Sequence, residues 1–159
     1  MDELIKLLLQ NGRETPANLA RMLATTESAV CERIQAYEKQ GVIRGYQAIV
    51  NADRLDLDQV RAVIEIKITP EREGGFNRLA ERLGKFPEVE ALYLMSGTYD
   101  LLAFVVGRDL KEVAFFVSEK LATIEGIVST ATHFMLKTYK EHGVMMEEKE
   151  KHERLKVSP

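Results

Sequence analysis

The chain is predicted to be α+β, three short helices followed by a four-stranded sheet unit of order βαββαβ. Three observations predict this. Helix start and stop signals recur three times before residue 45, apolar residues switch to strict alternation from residue 60, and apolar positions of the second half repeat at a fixed offset.

Leu4, Ile5, Leu8 and Leu9 recur at helical spacing and stop at Asn11-Gly12, a pair that tolerates the left-handed geometry of a helix C-terminus. Thr15-Pro16 reads as an N-cap followed by proline at the first helical position, where the missing N–H costs nothing. Leu19, Ala20 and Met22 continue that second, brief helix. Thr26 caps a third, with Val30, Ile34 and Tyr37 as its inward stripe and Gly41 as its stop. The β-branched and aromatic run from Val42 to Val50 predicts a short strand, or wing, pairing close to the helices. Residues 1–50 therefore form one domain. Asn51 to Gln59, rich in Asp and Asn, is the expected linker.

From Val60 to Ile68 the residues Val60, Ala62, Ile64, Ile66 and Ile68 alternate with polar ones, which predicts a half-buried strand. Phe76, Leu79, Ala80 and Leu83 form a helical stripe before Phe86-Pro87. Val89 to Ser96 is a second strand, Gly97 to Tyr99 a tight turn, and Asp100 to Gly107 a third strand, apolar on both faces. Leu110, Val113, Ala114, Val117 and Leu121 make a helix, and Ile127 to Lys137 a fourth strand. At an offset of 38, Leu79, Leu83, Phe86 and Val89 fall on Val117, Leu121, Ile124 and Ile127. Two such halves predict a ferredoxin-like sheet over residues 60–140 with both helices on one side. The other side should be dry, covered by a second subunit. Residues 141–159 read as a charged tail.

Composition narrows the function classes. The 159 residues are 45% hydrophobic and 30% charged with a formal net charge of -3, which argues against a polybasic membrane anchor or a supercharged nucleic-acid coat. The one cysteine, Cys31, allows neither an intramolecular disulfide framework nor a thiolate zinc site. His133, His142 and His152 are too scattered for a metal site, and no phosphate loop, zinc signature or nucleophile elbow is present. With no secretory signal and no apolar stretch long enough to span a bilayer, the expectation is a soluble cytoplasmic protein that is not an enzyme and needs no metal or cofactor.

The segment LARMLATTESAVCERIQAYEKQGVIRGYQAIV, residues 19–50, resembles the winged helix-turn-helix of the Lrp/AsnC family of transcription regulators. Gly97-Thr98-Tyr99-Asp100-Leu101 is similar to the turn of that family's C-terminal (RAM) domain, and Thr132 falls at its fourth-strand threonine. The resemblance spans roughly nine-tenths of the chain, and both halves occur together. It implies a regulator whose reader binds duplex DNA, and whose second domain senses a small molecule, typically an amino acid. It also implies dimers that assemble into rings, often octamers.

A helix-turn-helix presents its second helix to the major groove, so the residues opposite Val30, Ile34 and Tyr37 are the candidate readers. These are Ser28, Cys31, Glu32, Gln35 and Lys39, of which Ser28, Glu32 and Gln35 could meet base edges, and Arg33 lies on the flank with Thr26 at the helix start. Arg21, Arg44 and Lys39 are candidate phosphate contacts, although such charges are as often ordinary solvated groups. Residues 1–50 carry six Lys or Arg and six Asp or Glu, so the domain is formally neutral and each copy should bind DNA weakly. Binding should then depend on assembly. A helical unit that only packs or dimerises is the competing account. Cys31 is expected to be an ordinary helix residue rather than a redox switch.

In the turn, Gly97 would let backbone N–H groups approach a ligand carboxylate, with Asp100 accepting from an ammonium group. The competing reading is a plain turn in which Asp100 makes local hydrogen bonds. Met95, Thr98, Tyr99, Thr132 and His133 are the candidate pocket walls. Two other functions fit the architecture. One is a sirohaem-decarboxylase-like enzyme, which would need basic and histidine residues around a tetrapyrrole where this chain offers only His133 within a strand. The other is a ligand sensor or assembly partner that has lost DNA affinity.

Overall fold

A computed structural model describes residues 1–55, 59–69 and 76–147. The predicted linker residues 56–58 and the charged tail from residue 148 lie outside the described residues. The chain divides into two compact units, Met1–Val50 and Asn51–Pro159.

The first unit contains α1 (Glu3–Gln10), α2 (Pro16–Met22) and α3 (Glu27–Lys39). Side-chain oxygens of Asp2, Thr15 and Thr26 accept from the backbone N–H groups of Leu4, Asn18 and Ala29, so every helix begins on a capped donor. Helix α3 ends with Gly41 at φ 71°, and Val42 N–H donates to the Tyr37 carbonyl at 2.9 Å, the bond pattern of a Schellman stop. Helix α1 stops where expected but by another geometry, because Asn11 is extended at φ -147°. Leu4, Leu19, Ala20 and Val30 are the buried core, with Leu8, Ile34 and Tyr37 against it. Met22, expected inside, is 61% exposed. A helix of seven residues has room for one buried stripe, and Leu19 and Ala20 occupy it.

A polar clamp joins the start of α1 to α3. Arg33 Nη2 donates to both Asp2 oxygens, at 2.8 and 2.7 Å, and the Tyr37 hydroxyl donates to Asp2 Oδ2 at 2.7 Å. The Tyr37 hydrogen bond, the Leu4 N–H and the Arg33 guanidinium together hold the Asp2 carboxyl at about 2, against an ordinary 3.8. The predicted strand over Val42–Val50 is absent. That segment forms no regular element and has no ladder partner among the described residues, and Val42, Tyr46, Ile49 and Val50 are exposed.

In the second unit a short 3-10 turn, Ala52–Arg54, precedes β1 (Val60–Ile68), α4 (Asn77–Leu83), β2 (Val89–Leu94), β3 (Leu101–Gly107), α5 (Leu110–Phe115) and β4 (Ile127–Phe134). The strands form one antiparallel sheet of order β2-β3-β1-β4. On β1 the residues Ala62, Ile64, Ile66 and Ile68 are buried, facing Leu101, Ala103 and Val105 of β3 through the register Ile66↔Leu101 and Ile64↔Ala103. Both helices cover this face. All eight residues of the offset-38 repeat belong to its core or pack against it. The ring edge of Phe116 meets Phe86 at 5.5 Å, and Lys120, ion-paired with Glu88, lies over both rings.

The second helix of this unit departs from its expected stripe. After Phe115 the backbone winds as a π turn, Phe116–Leu121; Val113 and Leu121 are buried as expected, Phe116 joins them, and Leu110 and Ala114, which precede the π turn, are exposed. The fourth strand is also shorter than expected, ending at Phe134. Residues 140–147 are not a solvated tail. Lys140–Glu141 (β5) and Val144–Met145 (β6) pair as a hairpin through His142-Gly143, both left-handed, and Met146 is buried with its carbonyl accepting from Asn51 Nδ2 at 2.7 Å.

Two outcomes follow from this packing. A Cβ at Gly107 would sit 2.9 Å from Val113 Cγ2, a buried contact, so Gly107→Ala should cost about 1–3 kcal/mol in urea unfolding of the full chain. Because the folded Asp2 carboxyl titrates below its ordinary value, its stabilisation is present above pH 3.8 and fades as pH falls toward about 2. Thermal melts should therefore show wild type above Asp2→Asn at neutral pH, with the gap closing across that acid window.

Candidate functional site

Helix α3 separates its side chains cleanly into two sides. At about 100° per residue, Ser28, Glu32, Gln35 and Lys39 fall within an arc of about 60°, while Val30, Ile34 and Tyr37 lie on the far side. All four of the first group are exposed, and Val30 is fully buried. Ser28 Oγ donates to Glu32 Oε1 at 3.2 Å, a weak exposed contact that leaves both groups accessible to a base edge. Gln35 and Lys39 are likewise exposed on the same side.

The other expected DNA contacts are differently employed. Thr26 Oγ1 is the cap of α3. Arg21 donates to Asn18 Oδ1, whose amide donates in turn to Glu14 at 2.7 Å. Arg44 is exposed and folds over Gly41, where an added Cβ would meet its Nη1 at 3.3 Å. Arg33, expected on the flank, is directed inward to Asp2. Sequence reasoning missed Asp2. Its signal was present, since an Asp directly before an apolar-periodic run is a helix start, but nothing in the sequence indicated the side chain that would come to it from 31 residues away.

The turn expected to hold a ligand closes onto β1. Met95 N–H donates to the Asp100 carbonyl at 2.8 Å and Asp100 N–H to the Ile66 carbonyl at 3.0 Å. Asp100 Oδ2 accepts from Ile68 N–H at 2.8 Å, next to the register shift between Lys67 and Ile68. The carboxylate thus has a structural partner already, on β1 and not within the turn as the plain-turn reading expects. Gly97 and Thr98 are exposed, and a Cβ at Gly97 would meet nothing within 4 Å, so a ligand could approach this backbone closely.

Thr132 and His133 do not join that turn within one chain. They lie on β4, two strands from β3, about 10 Å across the sheet. As neighbours in a strand they also face opposite ways: Thr132 pairs with Ile64 on the helix-covered side, and His133 with Val63 on the other. His133 Nε2 lies 3.4 Å from Glu65 Oε1. The candidate pocket of Met95, Gly97, Thr98, Tyr99, Asp100, Thr132 and His133 is therefore split, with its first five members contiguous.

The uncovered face of the sheet carries Leu102, Phe104 and Val106 of β3 beside Val63 of β1, each half-buried. Tyr93 of β2, opposite Leu102, meets Phe104 edge to face at 6.0 Å. Charged groups ring this apolar centre: Arg61 pairs with Glu90 at 3.3 Å and Glu141 at 3.1 Å. Among the described residues no group of three or more His, Cys, Asp or Glu could hold a metal ion, and no helix is long and apolar enough to cross a membrane.

Comparison with known proteins supplies the family. The profile of the Lrp/AsnC ligand binding domain matches residues 61–145, and that of a winged helix-turn-helix DNA-binding domain matches residues 3–44. The HTH-type transcriptional regulator YugG of Bacillus subtilis is 40% identical over 158 residues, covering 99% of this chain and 95% of YugG. The crystal structure of an AsnC family transcriptional regulator from Agrobacterium tumefaciens, 28% identical, superposes with a TM-score of 0.67 over 89% of this chain and 94% of that one. A transcriptional regulator of Neisseria meningitidis crystallised with L-methionine shares the fold at 24% identity, with a TM-score of 0.67 over 89% of this chain and 93% of that one. With a reader helix exposed along one side, a four-stranded ligand-binding unit behind it in sequence and relatives that match over nearly the whole chain, this protein belongs to the Lrp/AsnC family of DNA-binding transcription regulators.

Proposed function

We propose that the chain works as a cytoplasmic assembly of dimers that contacts duplex DNA through Ser28, Glu32, Gln35 and Lys39 of α3, and that an amino acid bound at the 95–100 turn alters that contact. The observation that carries this reading is the exposure of those four side chains on one side of a helix whose other side is packed. Serine, glutamine and glutamate supply the donors and acceptors that base edges require. Lys39, Arg21 and Arg44 are left to meet phosphates.

Electrostatics favours assembly as the source of affinity. Residues 1–50 are formally neutral, and Arg33 spends its charge on Asp2, so a single reader releases few counterions. Several readers at fixed separation act at high effective concentration. A second copy is the cover we assign to Leu102, Phe104, Val106 and Tyr93, since an apolar centre with a charged rim is the anatomy of a subunit interface. Rings of such dimers follow from the family resemblance. No catalytic role enters this reading.

For the ligand, an amino acid is the class to test first. Accessible backbone at Gly97 and Thr98 suits a carboxylate, and Asp100 suits an ammonium group. A regulator of the same fold has been crystallised with L-methionine.

Phe104→Glu places a charge at the centre of the uncovered face. Sedimentation velocity should then show monomers, and affinity for a duplex selected from a random pool by the wild-type protein should fall more than tenfold. A monomeric variant with full affinity would overturn the assembly argument. In thermal melts against the twenty amino acids, at least one at 100 times its Kd should stabilise the protein by about 2.7 kcal/mol. Gly97→Val should abolish that shift and, because Gly97 sits at φ 158°, also lower the unliganded melt, and no shift with any amino acid would remove this ligand class. A haem-like absorbance band on the purified protein would instead favour a tetrapyrrole enzyme.

A further inference from the structure

Arg33 sits among the residues a helix-turn-helix would offer to DNA, yet its position on α3 points elsewhere. By helical phase it lies about 130° from the centre of the Ser28, Glu32, Gln35 and Lys39 arc, and about 40° from Tyr37. Both Arg33 and Tyr37 reach the same carboxylate, at the same three hydrogen bonds, across 31 and 35 residues of sequence. Asp2 simultaneously caps α1 through Leu4 N–H at 2.8 Å, so one side chain fixes the origin of α1 and the middle of α3.

The clamp matters because little else sets the rotation of α3 about its own axis. Val30 is its one fully buried side chain, with Ile34 and Tyr37 only partly covered. Apolar contact is non-directional and, with one fully buried side chain, holds the helix's rotation less sharply than directional bonds do. Hydrogen bonds weaken steeply with misalignment, so a guanidinium and a hydroxyl one turn apart on a common carboxylate do not tolerate it. Such a rotation would swing Gln35 and Glu32 away from any base edge they met.

We propose that Arg33 is a positioning residue: with Tyr37 it locks α3 onto Asp2 and so sets the angle at which the four exposed side chains meet DNA, without itself touching a phosphate. Discrimination between DNA sequences then depends on the second residue of the chain. The inference rests on α3 being the DNA-contacting helix.

The test uses the full-length protein, a duplex selected from a random-sequence pool by wild type, and a scrambled duplex of equal length, with Kd measured over a salt series. Asp2→Asn, Arg33→Gln and Tyr37→Phe should each lower the selected-to-scrambled affinity ratio, by five- to twentyfold for the first two, with the salt slope unchanged. The Asp2→Asn/Arg33→Gln double variant should be no worse than either single, because both remove the same linkage. Lys39→Gln should behave oppositely, losing affinity for both duplexes and about one unit of salt slope.

A fall of about one unit in slope for Arg33→Gln would make Arg33 a phosphate contact and overturn the proposal. Equal losses on both duplexes that track the melting temperature would do so too, since a clamp that only stabilises the fold reduces active protein without changing preference. If Arg33→Gln unfolds the unit, Tyr37→Phe, which removes a single hydrogen bond, decides on the same ratio. Should neither Gln35→Ala nor Lys39→Gln alter binding, the α3 reading itself fails, an outcome distinct from the others.

Discussion

Two helices can cover one face of a four-stranded sheet, and the alternation along β1 and β3 decides which face that is. Ala62, Ile64, Ile66 and Ile68 on β1 and Leu101, Ala103 and Val105 on β3 pair across the ladder and meet α4 and the π turn after α5, so this side is dry. The intervening residues of β1 are mostly charged, as in a strand that faces water on one side. Those of β3 are not. Leu102, Phe104 and Val106 put an apolar column at the middle of a surface that Arg61, Glu65, Glu90 and Lys67 surround. Charge at the rim and apolar area at the centre distinguish this face from an ordinary solvated one, and they single out β3 as the strand that serves the core and, on the assembly proposed above, the subunit contact.

The first unit is held by different means. About fifty residues bury too little surface for packing alone to specify a structure, and only Leu4, Leu19, Ala20 and Val30 are fully inside. Directional polar contacts supply the rest. Caps by Asp2, Thr15 and Thr26 each contribute about 0.5–2 kcal/mol by satisfying an orphan N–H, and they fix where each helix begins. Asp2 serves twice, as cap and as clamp. The same economy leaves α3 with one polar side free, of mixed charge, with Glu32 two turns from Lys39.

Much of this was legible in the residues, and the failures have common causes. Capping signals and period-two alternation are local, and Thr15, Thr26, Gly41 and the β1 series behave as their chemistry requires. The offset-38 repeat was legible because both βαβ halves must feed one core. Ideal periodicity placed Leu110 and Ala114 inside and both are exposed, while past Phe115 a π turn lengthens the repeat and sets Phe116 and Leu121 on the buried side five residues apart. Val42 to Val50 has strand composition, but a strand needs a ladder partner, and it finds none among the described residues. Arg33 and Asp100 carry groups suited to ligands, and each meets a partner within the chain that sequence spacing alone does not reveal. His133 and Thr132 were separated by the rule that adjacent strand residues face opposite ways, a rule that applies as soon as β4 is recognised as a strand.

The position of Asp100 suggests how a ligand at the turn would be felt elsewhere in the unit. Its carboxylate holds Ile68 N–H at the irregular end of β1, and its backbone opens β3, whose next residues carry Leu101 into the core and Leu102 onto the uncovered face. An ammonium group drawing on Asp100 competes with the Ile68 bond, so binding is tied energetically to the β1 end and to the first residues of β3. Coupling between two sites requires that occupancy of one change the free energy of the other, and a strand shared by turn and interface meets that requirement with the fewest intervening parts. In the second unit the proposed ligand turn and the proposed subunit contact would then lie two residues apart on one strand, so on that proposal assembly is the property a small molecule is best placed to change.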